Sequence, residues 1–496
     1  MLKKTKSLAA ILLCMLMVLA SAACQSSDSP GSGKAENTST PVSENTGGDD
    51  AAEPESSEFV VEGSVLEQYP MLENLDLDGT LKPGMYAGKK IVVASGSGDY
   101  EKSMKVYAKL FNELTGGEVE VQSFPDQLFE KTQMALNTGG QFDVIVMPIA
   151  YIHSFAYSGL LTDLTDMLKT MASPGYDVDD FLQGLYQTYA NYNGMTVAFP
   201  FKPDSQMLFY RKDLFEDETQ KVNFKAEYNR DLIVPKTPEE MLEVAKFFTK
   251  SMNSDSPVEY GYSSMMSKAN SRFSWFNRLG YYGGSEVGEN FEPGFTDGSG
   301  VKALQFQVDL LKCAPSDALT FDWDASNTYF AQGNAAMMEQ WPGLYLTCNQ
   351  EDSPTKGKVG YAVCPGSSPT LGGWAMGITS DTDEAEMAFK FCEMITSKDG
   401  EFIKIQYTMD PCRSSNYERD IVKESSDPEF YKALMENLEV ASQLADTDIP
   451  FVSAQIADAE ENAIQSVLGG SLSVEDAIDQ IAAGFKEAVD SVRDQL

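Results

Sequence analysis

Residues 90–99 read Lys90-Ile91-Val92-Val93-Ala94-Ser95-Gly96-Ser97-Gly98-Asp99, and this stretch decides the fold class. The run Ile91 to Ala94 is short, apolar and closed by a Ser/Gly turn, which predicts a strand buried on both faces. Apolar residues then recur at helical spacing from Glu101 to Leu114, and Val119 to Val121 supplies a second strand. Another helical stretch, Asp126 to Leu136, leads to the apolar run Phe142 to Met147, closed by Pro148. Strand alternating with helix is the grammar of an α/β fold with a mainly parallel sheet flanked by helices. Ligands of such sheets bind outside the carboxyl ends of the strands, here the loops Ser95 to Asp99 and Pro148 to Tyr151.

Downstream the same grammar continues with interruptions. Strands are expected at Thr196 to Phe199 and Met207 to Tyr210. Thr237-Pro238-Glu239-Glu240 opens a helix, with a capping hydroxyl, a proline at the first helical position and early acids. Further helices are expected at Val301 to Leu311, Asp383 to Ile395, Pro428 to Ala445 and Val474 to Val492.

The chain has 496 residues, and its 75 acidic against 37 basic side chains give a net charge of −38. That balance argues against nucleic acid or an anionic membrane surface as an electrostatic partner. His153 is the only histidine, so a histidine-rich metal site, or a triad needing a second imidazole, lacks its parts, and no metal or cofactor is expected. Motifs of the GxSxG, Walker, GxGxxG and HExxH types are absent. Asn74 to Gly79 imitates the start of a calcium loop, but Met85 stands where the bidentate glutamate is needed. Apart from Cys14 and Cys24, the cysteines are Cys313, Cys348, Cys364, Cys392 and Cys412; they are odd in number and form no CxxC, which favours buried thiols.

At the amino end, Lys3, Lys4 and Lys6 precede the apolar run Leu8 to Ala20, the pattern of a secretory signal over residues 1–23. Ser21-Ala22-Ala23-Cys24 resembles the lipobox of bacterial lipoproteins, with Ser21 where that family prefers leucine. The resemblance implies lipidation of Cys24. Residues 24–57 are mostly Ser, Gly, Pro, Thr, Asn, Asp and Glu, a composition that makes a flexible tether.

Gly194-Met195-Thr196-Val197-Ala198-Phe199-Pro200, followed by Leu208-Phe209-Tyr210-Arg211-Lys212-Asp213-Leu214-Phe215, resembles the extracellular solute-binding proteins of ABC importers, in the maltose-binding-like carbohydrate group. Val234 to Glu240 occupies the place of that family's next helix start. Phe330-Ala331-Gln332-Gly333-Asn334-Ala335-Ala336-Met337 is similar to its "F-x-x-G-k-A-A-M", and Gly372-Gly373-Trp374-Ala375-Met376-Gly377-Ile378 to its "G-G-x-x-x-x-I" strand. Gly139-Gly140-Gln141-Phe142-Asp143-Val144 and Gly159 to Leu164 fall in the same order, and Gly469 to Ala477 resembles a helix near the carboxyl end. Arg211, Pro238 and Phe142 depart from the family's usual asparagine, tryptophan and proline.

The resemblance implies a two-lobed periplasmic-binding-protein-like fold whose lobes close on a ligand about hinge crossings. On that pattern residues 58–203 with 372–412 form the N-terminal lobe and 204–371 with 413–496 the C-terminal lobe. Crossings are expected near Phe201 to Asp204, near Gly372, and near Pro411 to Ser415. Sugars present flat C–H patches and hydroxyl edges, so tryptophans beside carboxylates are the informative residues. Trp374 at the return crossing, Trp341 after an expected cleft strand and Trp275 on an expected cleft helix are candidates, whereas Trp323 is assigned to packing. Asp204 matches the place of an acidic acceptor in maltose-binding relatives, Asp99 closes the first loop, and Arg413 lies at the third crossing.

The implied function is a lipid-anchored monomer on the outer face of the bacterial cell membrane. It captures a carbohydrate and delivers it to ABC permease subunits, without catalysis. Two alternatives stay open from the residues alone. One is a secreted glycosidase, which needs only two carboxylates. The other is a binder of a polyamine or other non-sugar solute, which the acidic balance suits.

Overall fold

The apolar run at Ile91 forms β1, Lys90–Gly96, in the computed structural model of the protein. The structure describes residues 59–495 except 76, 78, 125–127, 140–141, 408, 421–426 and 443–448. The signal, Cys24 and the tether lie outside the described residues, as do two positions of the calcium-like loop and two of the Gly139 motif. Residues 59–62 belong to an N-terminal unit and carry no helix or strand; Gly63 to Leu496 makes a second unit.

Helix Asp99–Thr115 connects β1 to β2, Glu118–Phe124, and helix Leu128–Asn137 precedes β3, Val144–Pro148. Both β2 and β3 pair parallel to β1, as connections through helices require. A small hairpin, β4 Asn191–Tyr192 with β5 Met195–Thr196, then leads into the long strand β6, Ala198–Ser205. The remaining strands are β7 Met207–Arg211, β8 Tyr260–Ser264, β9 Ala335–Gln340, β10 Val359–Ala362 and β11 Leu371–Ile378. Among the described residues the two main sheets have the orders β2-β1-β3-β11-β6 and β10-β7-β9-β8. Each sheet with its helices is one lobe. The long strand β11 enters the first sheet antiparallel to both of its neighbours, β3 and β6, so β6 runs in the direction of β1 to β3; among the described strands of the second sheet β8 and β9 form the parallel pair.

Alternation along β7 shows how the second lobe is filled. Leu208 joins a core with Tyr262, Met337 and Phe248, while Met207 and Phe209 face the opposite core with Met338, Phe330 and Phe430. The last two long helices, Ser453–Leu468 and Val474–Asp490, pack on Trp275, Phe295 and Leu304. Thr237 caps its helix as expected, its hydroxyl accepting from the Glu240 amide at 3.2 Å. All five cysteines within the described residues are free and buried.

The stretch 59–88 precedes the first strand that the family resemblance covers; of it, the described residues from Gly63 onward lie against the first lobe. The Glu113 carboxylate accepts from the Val65 and Leu66 amides at 3.0 Å each and from the Ser64 hydroxyl at 2.9 Å. Leu72 and Tyr86 are buried, and Tyr69 meets Phe402 edge-on at 5.6 Å.

The chain passes between the sheets through very few residues. Ser205 pairs with Leu371 in the first sheet and Met207 with Gln340 in the second, so Gln206 alone separates them. Asn277, buried on helix Arg272–Leu279, holds this crossing. Its Nδ2 donates to Gln206 Oε1 at 2.8 Å, and its Oδ1 accepts from the Thr370 amide and hydroxyl at 2.8 and 2.7 Å. Ser442 bridges to Thr370 as a third segment. At Pro411 to Ser415, where the third crossing is expected, Phe181 bridges Arg413 and the Leu182 amide donates to the Cys412 carbonyl of the first lobe, while Tyr417 just beyond meets Tyr431 of the second lobe's core edge-on at 5.6 Å.

Replacing Asn277 by Ala leaves the buried Gln206 amide and Thr370 N–H without their partner, and should destabilise the protein by about 2–4 kcal/mol. Urea unfolding of the variant should show a lower midpoint at unchanged slope; an unaltered midpoint would mean the crossing does not depend on this side chain.

Candidate functional site

A cavity of about 620 Å³ opens between the lobes. The carboxyl end of β1 delivers Ser97, Asp99 and Tyr100 to its wall, and the end of β3 delivers Pro148, Ile149 and Ala150. Both loops are those expected from strand polarity. From the second lobe come Arg272 and Phe273 at a helix start, Trp323 at another, and Trp341 directly after β9. The strands that cross between lobes supply Lys202 and Asp204 on β6 and Gly372 to Trp374 on β11.

Aromatic faces dominate the two sides. Trp374 stacks on Tyr100 with ring centroids 3.9 Å apart and planes inclined by 24°. On the other side Trp341 meets Phe273 edge-on at 5.3 Å and 82°. The β6–β11 register shifts between Trp374 and Ala375, with Phe201 the extra residue on β6. Such a bulge re-aims side chains locally.

Lys202 and Asp204 alternate along β6 and so share one face, which puts the ammonium 2.8 Å from Asp204 Oδ2. Burial works against the Lys202 ammonium, but the charges of Asp204, Tyr100 and Asp410 outweigh it and hold the group above the ordinary lysine value. Burial raises the Asp204 carboxyl, a rise that Lys202 opposes. Asp410, next to the wall residue Met409, is pushed by burial up to about 7. Asp204 is 7% exposed, and its Oδ1 has no hydrogen-bond partner within the protein. That oxygen is an acceptor awaiting a donor at the cavity wall. The other charges here are paired, Asp99 with Lys102 at 2.9 Å and Arg272 with Glu460 at 3.2 Å.

Residues 106–427 match the model of the bacterial extracellular solute-binding protein family. The chain belongs to that family. A "Probable ABC transporter-binding protein" of Deinococcus radiodurans is 25% identical over 331 residues, 64% of this chain and 74% of that protein. Among solved structures, maltose-bound MalE3 of T. maritima is 26% identical, covers 80% of this chain and 99% of its own, and superposes with a TM-score of 0.67. A solute-binding protein of Agrobacterium radiobacter K84 in complex with ribitol gives 26% identity, 82% and 100% coverage, and a TM-score of 0.67.

Of the six residues expected at the site of this solute-binding protein, the structure brings Trp374, Trp341, Asp204 and Asp99 to one cavity. It places two elsewhere. Trp275 is fully buried in the second lobe, its Nε1 donating to the Gly300 carbonyl at 3.1 Å and its ring edge-on to Phe295. Phe273, two positions earlier on the same helix, takes the cavity side; at about 100° per residue the two point apart. Arg413 is a core residue of the first lobe. Its guanidinium donates to the carbonyls of Thr396 at 2.6 Å and Asp177 at 2.5 Å and lies over the Phe181 ring at 4.0 Å. His153 is buried beside Tyr192.

Sequence reading missed Tyr100, Lys202, Phe273 and Arg272, and assigned Trp323 to packing although it is 37% exposed at the cavity. Tyr100 and Lys202 carried usable signals. Tyr100 follows the last residue of the expected loop, and Lys202 shares a strand face with Asp204.

Replacing Trp374 by Ala removes the ring that stacks on Tyr100 and should weaken solute binding by at least tenfold, about 1.4 kcal/mol. Calorimetric titration checks this alongside circular dichroism; unchanged affinity in a folded variant would remove Trp374 from the site.

Proposed function

We propose that this solute-binding protein serves an ABC importer, capturing a neutral sugar or short oligosaccharide between its lobes and handing it unaltered to a membrane permease. The observation that carries the reading is a cavity walled by stacked rings in which each lining charge has an opposite charge beside it. Flat rings suit the C–H faces of a sugar, and Asp204 Oδ1 suits a hydroxyl donor. The volume lies within the range of about 300–1,000 Å³ usual for small-molecule sites. Relatives of the same fold hold maltose and ribitol, both uncharged.

Charge pairing also weighs against the two alternatives. A polyamine needs unpaired carboxylates, whereas Asp99 and Asp204 already face lysines. A glycosidase needs one carboxylic acid ready to give up a proton and a second carboxylate across the bond; ion pairing of both cavity acids opposes those roles. The hinge at Gln206, Thr370 and Ser442 lets the lobes close on the solute.

The site of action is extracytoplasmic, in keeping with the family. The signal-like residues 1–23, the small residues before Cys24 and the polar tether support a lipid anchor through Cys24, with the folded part acting as a monomer. Among the described residues no helix is long and apolar enough to cross a membrane.

Titration with maltose, maltotriose, ribitol and spermidine, followed by chromatography of the recovered solute, tests the proposal. A bound sugar at a hundred times its Kd should stabilise the protein by about 2.7 kcal/mol and come back intact. Cleavage of the sugar, or a response to spermidine alone, would overturn it. In a bacterial host, Cys24→Ser should move the protein from the membrane fraction to the soluble one; retention in the membrane would rule out anchoring through this cysteine.

A further inference from the structure

Each tryptophan of the cavity rests on a glycine. A β-carbon at Gly372 would lie 2.7 Å from Trp341 Cζ3 and 2.9 Å from its Cη2. One at Gly96 would lie 2.9 Å from Trp374 Cη2 and 3.3 Å from its Cζ3. Trp323 meets Gly343 in the same way, at 3.0 and 3.1 Å. In every case the closest atoms belong to the benzo half of the indole, so the ring lies against bare backbone and an added β-carbon would have to displace it.

Conformation does not explain these glycines. Neither Gly96 nor Gly372 has a left-handed backbone, so alanine could adopt either conformation. What they provide is close approach. Gly96 ends β1 and holds Trp374 of β11, a contact within the first sheet. Gly372 pairs with Asp204 beside the crossing, whereas Trp341 follows Gln340, the last residue of β9 in the second lobe, so that contact spans the hinge.

We propose that Gly96 and Gly372 are positioning residues of the binding site, seats of bare backbone that set the depth of Trp374 and Trp341 and with it the spacing of the aromatic walls. The proposal rests on the reading of the cavity as a sugar site for its effect on affinity, but not for its effect on the rings. A methyl group on either seat forces its indole to tilt or to withdraw. At Gly372 the displaced ring also pushes the second lobe away from the crossing strand, so stacking and closure fail together. The seats thus favour ring-shaped solutes, which need two walls at a fixed distance, over acyclic polyols, which adapt to a changed one.

A double-mutant cycle decides between a seat and a generally intolerant backbone position. Gly372→Ala should weaken maltose binding at least tenfold and ribitol binding less. In a Trp341→Phe background, where the benzo ring that touches the seat is gone, the same substitution should cost less than threefold. Near-ultraviolet circular dichroism without solute gives the second readout: Gly372→Ala should alter the tryptophan bands in the Trp341 background and leave them unchanged in the Phe background. Equal losses in both backgrounds, or unaltered bands, would overturn the proposal. If none of the sugars binds the unsubstituted protein, the sugar reading fails while the spectral cycle still decides the seat.

Discussion

A single buried residue, Gln206, separates a strand of one sheet from a strand of the other, and the architecture follows from how that crossing is kept dry. Gln206, Asn277 and Thr370 are all buried. Buried amides and hydroxyls are costly without partners, and here they satisfy one another: Asn277 gives its amide N–H to Gln206 and takes two donors from Thr370. The Gln206 amide in turn donates to the Thr370 carbonyl at 3.1 Å. Such a node has few alternative pairings. It ties a helix of the second lobe to both strands at the crossing. The cavity is built on those same strands, Lys202 and Asp204 on one and Gly372 to Trp374 on the other.

Much of this was legible in the chain. The buried strands at Ile91 and Val144, the helix capped by Thr237 and the paired loops after β1 and β3 all follow from local pattern, because burial on both faces and capping leave strong local signatures. Trp374 and Asp204 line the cavity, as expected from their places on crossing strands whose positions the motifs marked. What local pattern does not encode is helix phase and long-range partners. Trp275 and Phe273 are both aromatic on one short helix, and only the packing of Phe295 and the last two helices decides which of them is buried. Arg413 looked like a cleft residue from its place in the chain, yet besides the nearby Thr396 carbonyl its partners come from segments more than 200 positions away, at Asp177 and Phe181. Trp323, assigned to packing, lines the cavity instead, and its place beside Gly343 left no local pattern in the chain.

Lobe closure makes a quantitative demand on this arrangement. A solute shifts an open–closed equilibrium only by its differential affinity for the closed form, and moving it from 1:99 to 99:1 takes about 5.5 kcal/mol. A solute that touched only Trp374 and Tyr100 would bind open and closed forms alike and shift nothing. On the proposed sugar reading, the differential would come from contacts made once the second wall, which Trp341, Phe273 and Trp323 line, reaches the solute held by the first. Ring contacts contribute about 0.5–1.5 kcal/mol each beyond the area they bury, so several are needed at once. That requirement makes the spacing of the walls as consequential as their chemistry. A ring withdrawn from its seat loses its own contact and also prevents the opposite ring from closing on the same solute, so the two walls contribute to closure only together.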